Sequence, residues 1–181
     1  KYISNISNII CLLILVTSFK MSIQKIPESL LNCQNFEARN CLKACKQGYY
    51  LNSQNQKIQI SELITNCLVN TKSYPPKYKY TRPTLELRRN GLIEVRNEST
   101  LKGAYRMSVI EKKNNVCALN FANAFHPGGG FLGPARAQEE TICRSSALYY
   151  SLIQKMNFYQ YHQKKIPSNT ASNYIIFSPD C

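Results

Sequence analysis

An α/β fold, a mixed sheet flanked by helices, is predicted by three observations. Leu92-Ile93-Glu94-Val95-Arg96 alternates and is β-branched, so it reads as a strand. Ser99 or Thr100 caps a helix to about Val109, and Val116-Cys117-Ala118-Leu119-Asn120-Phe121 follows as a near-continuous apolar strand. Such runs are buried on both faces of a mainly parallel sheet. Tyr174-Ile175-Ile176-Phe177 repeats that pattern as one more buried strand, ended by Ser178-Pro179.

The preceding elements are mostly helical. Pro27 and Glu28 suit a first helical turn, and Leu30, Leu31, Phe36, Leu42 and Cys45 supply a rough apolar face before Gly48 stops it. Lys57 to Ile60 reads as a short extended piece, and Ser61 caps a helix to about Val69. Residues 72–83, with Pro75, Pro76 and Pro83, read as a connector. A second helical pattern runs from Gln138 to about Leu152. The organisation expected is therefore a segment 1–20, a helical extension and connector over 21–83, and an α/β unit over 84–181. The last strand reaches Cys181 without a closing helix, so the fold reads as incomplete at the C-terminus.

Segment 1–20 contains the apolar run Ile9 to Phe19. A bilayer span needs about 20 apolar residues, so no stable membrane span is expected. The run reads either as a signal-peptide core, implying secretion, or as sequence upstream of an initiator at Met21, implying a cytoplasmic or nuclear protein. The formal charge is +13, from 23 basic and 10 acidic residues. That excess favours a polyanionic partner. Nucleic acid is one such partner, and the densest basic stretch interleaves Lys72, Lys77, Lys79, Arg82, Arg88 and Arg89 with Tyr74, Tyr78 and Tyr80. A solvated connector explains the same residues. Eight cysteines show neither a CxxC pair nor a histidine placed to complete a zinc set, so reduced thiols and no metal are expected. A monomer is expected too.

The stretch richest in chemistry is Asn120-Phe121-Ala122-Asn123-Ala124-Phe125-His126-Pro127-Gly128-Gly129-Gly130, followed after seven residues by Gln138-Glu139-Glu140. Three glycines strip the main chain of side chains, so its N–H groups can approach an anion. Two carboxylates follow one short loop later. No Gly-Lys-Ser/Thr follows, which excludes a Walker loop, and the spacing is not GxGxxG. His126 reads as an ordinary loop side chain.

This pattern resembles the microbial-type poly(ADP-ribose) glycohydrolases, macrodomain proteins marked by Gly-Gly-Gly, a short spacer and Gln-Glu-Glu. Thr141-Ile142-Cys143-Arg144-Ser145-Ser146-Ala147-Leu148-Tyr149 and Tyr174 to Asp180 are similar to that family as well. So is the segment ending in Gly48-Tyr49-Tyr50-Leu51, and the likeness runs from about residue 25 to the end. The resemblance implies a macrodomain-like fold. It also implies hydrolysis of ribose–ribose bonds in poly(ADP-ribose) or action on another ADP-ribosylated macromolecule, without a cofactor. Glu140 matches the catalytic acid/base, and Glu139 the residue that hydrogen-bonds the ribose hydroxyls. Asn123 matches the ribose-orienting asparagine, while Gly128, Gly129 and Gly130 match the loop beside the ribose and diphosphate. Gln138 belongs to the same ligand-binding set. A second glycine-rich loop and an adenine-stacking aromatic are implied beyond Cys181.

Cleaving such a bond passes through an oxocarbenium-like state that needs a proton for the leaving oxygen and an activated water. One carboxyl can serve as acid and then base. Burial and the neighbouring charge of Glu139 are expected to raise the pKa of Glu140. Pro134 stands where the family has glycine, which fixes one φ and removes an N–H. That departure keeps open a reader that binds ADP-ribose without cleaving it, and a hydrolase of mono-ADP-ribosylated substrates is a further alternative.

Overall fold

The computed structural model describes residues 23–79, 91–165 and 170–181. The apolar segment 1–20, Met21, the basic residues Arg82, Arg88 and Arg89, and the expected boundaries at 20 and 83 lie outside the described residues. Among the described residues, no helix is long and apolar enough to cross a membrane.

The fold mixes helices with two small sheets. After a 3-10 turn at Glu28–Asn32, helix α1 spans Phe36–Gln47. Asn35 starts it by accepting the Ala38 N–H at 2.9 Å, and Gly48 ends it in the left-handed conformation at φ 76°. Its buried face is Ala38, Leu42 and Cys45, spaced as one helical stripe requires. Strands β1 (Tyr49–Leu51) and β2 (Lys57–Gln59) pair antiparallel, with Tyr49 opposite Gln59. Helix α2 follows at Ser61–Asn70. Ile60, rather than Ser61, occupies its cap position.

A Cβ at Gly48 would lie 2.8 Å from the Ser61 Cβ, and its φ is costly for any L residue. Gly48→Ala is therefore expected to destabilise the fold by about 1–2 kcal/mol through the backbone alone. Thermal or urea unfolding reads that loss directly.

Several strand expectations are corrected. Lys72–Tyr74 is not connector but strand β3, pairing antiparallel with β4 (Ile175–Phe177), Lys72 opposite Phe177. Both sheets are thus antiparallel rather than mainly parallel. Ile175 and Phe177 of β4 are exposed, so that strand is not buried. Leu92–Arg96 and Val116–Phe121 are not in ladders. Leu92, Ile93 and Val95 are about nine-tenths exposed, and Leu119 and Phe121 are exposed as well. Extended backbone becomes a strand only when a neighbour takes its N–H and C=O groups, and no described strand lies beside these segments.

The remaining helices form the platform of the site. Ser99 caps α3 (Thr100–Tyr105), which continues as a π-helical turn over Arg106–Ile110. The expected helix from Gln138 breaks at Ser146 and Ala147 into α4 (Gln138–Ser145) and α5 (Leu148–Ile153). Helix α6 (Met156–Lys165) has no counterpart in the sequence-based expectations. One core joins α1 and α2 to α4–α6 through Leu42, Leu68, Cys143, Leu152, Phe158 and Tyr159, with Phe131 of the glycine loop inserted into it.

Candidate active site

The first turn of α4 carries both glutamates, where carboxylates complement the helix dipole. Both are buried. The segment 120–123 lies against this turn. Gln138 holds it there like a strand partner: its Oε1 accepts the Phe121 N–H at 2.8 Å, and its Nε2 donates to the Leu119 carbonyl at 2.7 Å. A third contact runs from Nε2 to Thr100 Oγ1 at 3.1 Å, tying in α3. The Gln138 amide is thus engaged at both ends with the chain itself.

The glycine loop is a run of tight turns. Gly129 N–H donates to the His126 carbonyl, Phe131 N–H to Gly128, and Gly133 N–H to Gly130. Gly128 and Gly129 have φ of 68° and 55°. A Cβ at Gly129 would sit 2.5 Å from Glu140 Oε1 and 3.3 Å from Glu139 Oε2. At Gly128 it would meet the Tyr149 ring at 2.7 Å. Glycine is required at both positions for space as well as conformation. The anions reached by this bare backbone are the site's own carboxylates. Gly130 N–H donates to Glu140 Oε1 at 2.8 Å, and the Gly128 N–H faces Glu139.

Glu139 accepts from the Asn123 N–H at 2.8 Å and from Asn120 Nδ2 at 3.1 Å. Asn123 folds its own Oδ1 back onto the N–H groups of Phe125 and His126. Its Nδ2 has no partner among the described residues. Two buried oxygens, Glu140 Oε2 and Asn120 Oδ1, also have none. A crevice lies along this surface, lined by Phe121, Ala122, Asn123, Ala137, Gln138, Glu139 and Glu140. A buried acceptor without a partner costs free energy, and such atoms mark places where a ligand completes the bonding.

The electrostatics reverse the expectation for Glu140. Burial, with the charge of Glu140 beside it, pushes the Glu139 carboxyl up despite the donors at Asn123, Asn120 and Gly128. Burial also works against ionised Glu140. Backbone donors at Gly130, Glu140 and Ala137, with the Arg144 guanidinium, outweigh it and hold that carboxyl below its usual range. The expected increase for Glu140 is not found, because the glycine loop supplies an N–H to it.

All the residues anticipated from the sequence (Glu139, Glu140, Asn123, Gln138, Gly128, Gly129 and Gly130) come together here. Asn120 and Arg144 escaped sequence reasoning as site residues, although Asn120 opens the Asn-x-x-Asn pair. Pro134 is exposed and is the last residue of the continuous run of turns that contains the glycines, so the loop closes with proline in it. Beneath the loop the Cys143 thiol is buried 3.3 Å from the position of a Gly128 Cβ, and burial pushes its pKa well up. Cys45, Cys67 and Cys143 are buried free thiols, whereas Cys117 and Cys181 are exposed. No cluster of three metal-ligating side chains occurs among the described residues.

Residues 38–181 match the family described as microbial-type PARG, catalytic domain. The crystal structure of poly(ADP-ribose) glycohydrolase (PARG) from Thermomonospora curvata is similar, with 32% identity and a TM-score of 0.68 over 79% of this chain and 53% of that one. The structure of that protein bound to the inhibitor ADP-HPD gives 33% identity and a TM-score of 0.69, over 79% of this chain and 51% of that one. The chain therefore spans about half the length of the solved structures it matches. No curated protein matches it. Since the family match runs from α1 through the glycine loop and both glutamates to β4, this chain belongs to the microbial-type PARG catalytic-domain family.

Proposed function

We propose that this site hydrolyses ribose–ribose O-glycosidic bonds of poly(ADP-ribose) and releases ADP-ribose, with Glu140 as general acid/base. The observation that supports this reading is the buried, unpartnered Glu140 Oε2, on a carboxylate whose other oxygen is held by Gly130 N–H. Fixing one oxygen leaves the second as the free proton-carrying atom of a residue that lines the crevice. In this scheme protonated Oε2 gives its proton to the leaving ribose oxygen as the glycosidic bond breaks. The carboxylate then takes a proton from the water that adds to the anomeric carbon, which restores the acid. The substrate's own diphosphate stabilises the cation in between. Glu139 binds the ribose hydroxyls, Asn123 orients the ribose through Nδ2, and Gly128–Gly130 form a close wall. Gln138 acts by holding residues 119–121. The charge of +13 suits this polyanion.

The lowered pKa of Glu140 in the free site has a kinetic consequence. Substrate brings negative phosphates and expels water, and both disfavour the carboxylate. The high-pH limb of kcat, which reports the complex, is expected at higher pH than that of kcat/KM, which reports the free enzyme. Coincident limbs would contradict the assignment of Glu140 as acid.

The reading is tested by incubating the chain with labelled poly(ADP-ribose). Release of ADP-ribose by the native protein, lost in Glu140→Ala while binding persists, is the expected result. Binding without turnover in both proteins would replace the enzyme with a reader. Turnover confined to mono-ADP-ribosylated protein would move the activity to that substrate.

A further inference from the structure

The carbonyl face of the glycine loop is gripped from behind. Arg144 Nη2 donates to the carbonyls of Phe131 at 3.2 Å and Gly133 at 3.1 Å, the former immediately following the three glycines. Asn35 Nδ2 donates to the same Gly133 carbonyl at 2.9 Å, while its Oδ1 caps α1. Glu37, in the first turn of α1, lies 3.7 Å from both Arg144 Nε and Arg136 Nη2. That spacing is too long for a hydrogen bond, so Glu37 acts on Arg144 through charge.

From this juxtaposition we propose that Arg144 and Asn35 are positioning residues for Glu140, and that α1 is thereby a working part of the catalytic centre. Arg144 lies one helical turn after Glu140 on α4, so the two side chains share a face. The helix that carries Glu140 therefore also holds the loop that carries its hydrogen-bond donor. Gly130 N–H meets Glu140 Oε1 from one side, and Arg144 fixes the following carbonyls from the other. Asn35 closes the arrangement by pinning Gly133 to the start of α1, about a hundred residues away in sequence. The Arg144 side chain is 7% exposed, unlike a solvated surface cation, and it replaces the solvation of two loop carbonyls. Both bonds come from the one nitrogen Nη2, so lysine would have to bring its ammonium to that same point. Its flexible, strongly hydrated stem is not pre-organised to hold it there as the rigid guanidinium does. The catalytic part of the inference rests on the glycohydrolase reading; the clamp itself does not.

The test uses the full chain and three variants: Arg144→Lys, Arg144→Gln and Asn35→Ser. The last keeps an α1 cap but loses the reach to Gly133, so it remains informative if the Arg144 variants fold poorly. Two quantities are read: amide hydrogen exchange at Gly130, and kcat and KM on poly(ADP-ribose). Loosening the clamp is expected to speed Gly130 exchange by roughly tenfold or more while α5 amides keep their protection. It is also expected to lower kcat by roughly ten- to a hundredfold with a much smaller change in KM, since the carboxylate loses its placement. A merely structural role would instead accelerate exchange throughout the core. If Gly130 exchange is unchanged in all three variants, the clamp is wrong. Faster Gly130 exchange in a protein whose native form never turns over substrate would uphold the clamp and remove the glycohydrolase reading.

Discussion

Glu140→Gln is expected to slow release of ADP-ribose by roughly a hundred- to ten-thousandfold, the range lost with a general acid/base, while leaving the fold intact. Glutamine retains an oxygen to accept the Gly130 N–H, which is 2.8 Å from Oε1 in the native protein. Its amide nitrogen then takes the place of Oε2, an atom with no hydrogen-bond partner among the described residues. The variant can still donate a hydrogen bond to a ribose oxygen. It cannot transfer a proton. Removing the Glu140 charge also relieves Glu139, whose carboxyl is pushed up by burial and by that charge. Because backbone donors and Arg144 favour the ionised Glu140 in the fold, thermal unfolding at neutral pH should show a modest loss of stability but no loss of the folded state. The effect appears in product release, measured by chromatography, with ADP-ribose binding retained. Activity within tenfold of native would remove Glu140 from the chemistry.

Gly129→Ala should damage the same centre by geometry. A residue with a side chain at φ 55° pays about 1–2 kcal/mol for the left-handed conformation. The larger effect is local, because the new Cβ would stand 2.5 Å from Glu140 Oε1. That oxygen cannot simply swing aside, since its bond to Gly130 N–H holds it and Glu139 lies on the other flank. Displacing the carboxylate by about 1 Å is expected to cost on the order of a hundredfold in kcat. Gly128→Ala supplies the contrast. Its Cβ would meet the Tyr149 ring, which stacks on Phe131 with centroids 4.4 Å apart in the core. That substitution should lower the unfolding temperature more than Gly129→Ala does, whereas Gly129→Ala should dominate in kcat. Parallel unfolding and turnover measurements separate the two. Equal effects of both substitutions on both quantities would mean that the loop is only a core element.

Local signals made much of the fold legible in the sequence. Gly48 as a helix stop, Ser99 as a cap and Gln138 as a helix start each act through backbone groups within a turn or so, and all three are found. The pairing of Lys72–Tyr74 with Ile175–Phe177 joins segments about a hundred residues apart, and no local pattern marks a three-residue strand beside two prolines. Apolar content misled at Leu92–Val95 and Leu119–Phe121. Composition reports what a segment would bury, whereas a ladder also needs a partner with open backbone groups. Within the site, the glycines and glutamates were visible because both the residue types and their spacing are unusual. Asn120 and Arg144 were not. Asparagine and arginine are ordinary in sequence, and their roles arise only where tertiary folding sets them against Glu139 and the loop carbonyls. The pKa order of the two glutamates was also out of reach, since it depends on which of them receives the Gly130 N–H.

The crystal structure of the chain with ADP-ribose tests the central claim most directly. It should place the anomeric hydroxyl of the ribose within about 2.6–3.2 Å of Glu140 Oε2, beside Asn123 Nδ2 and the turn at Gly129. A sugar bound elsewhere, with Oε2 still unpartnered and the crevice along Phe121 to Asn123 unoccupied, would contradict it.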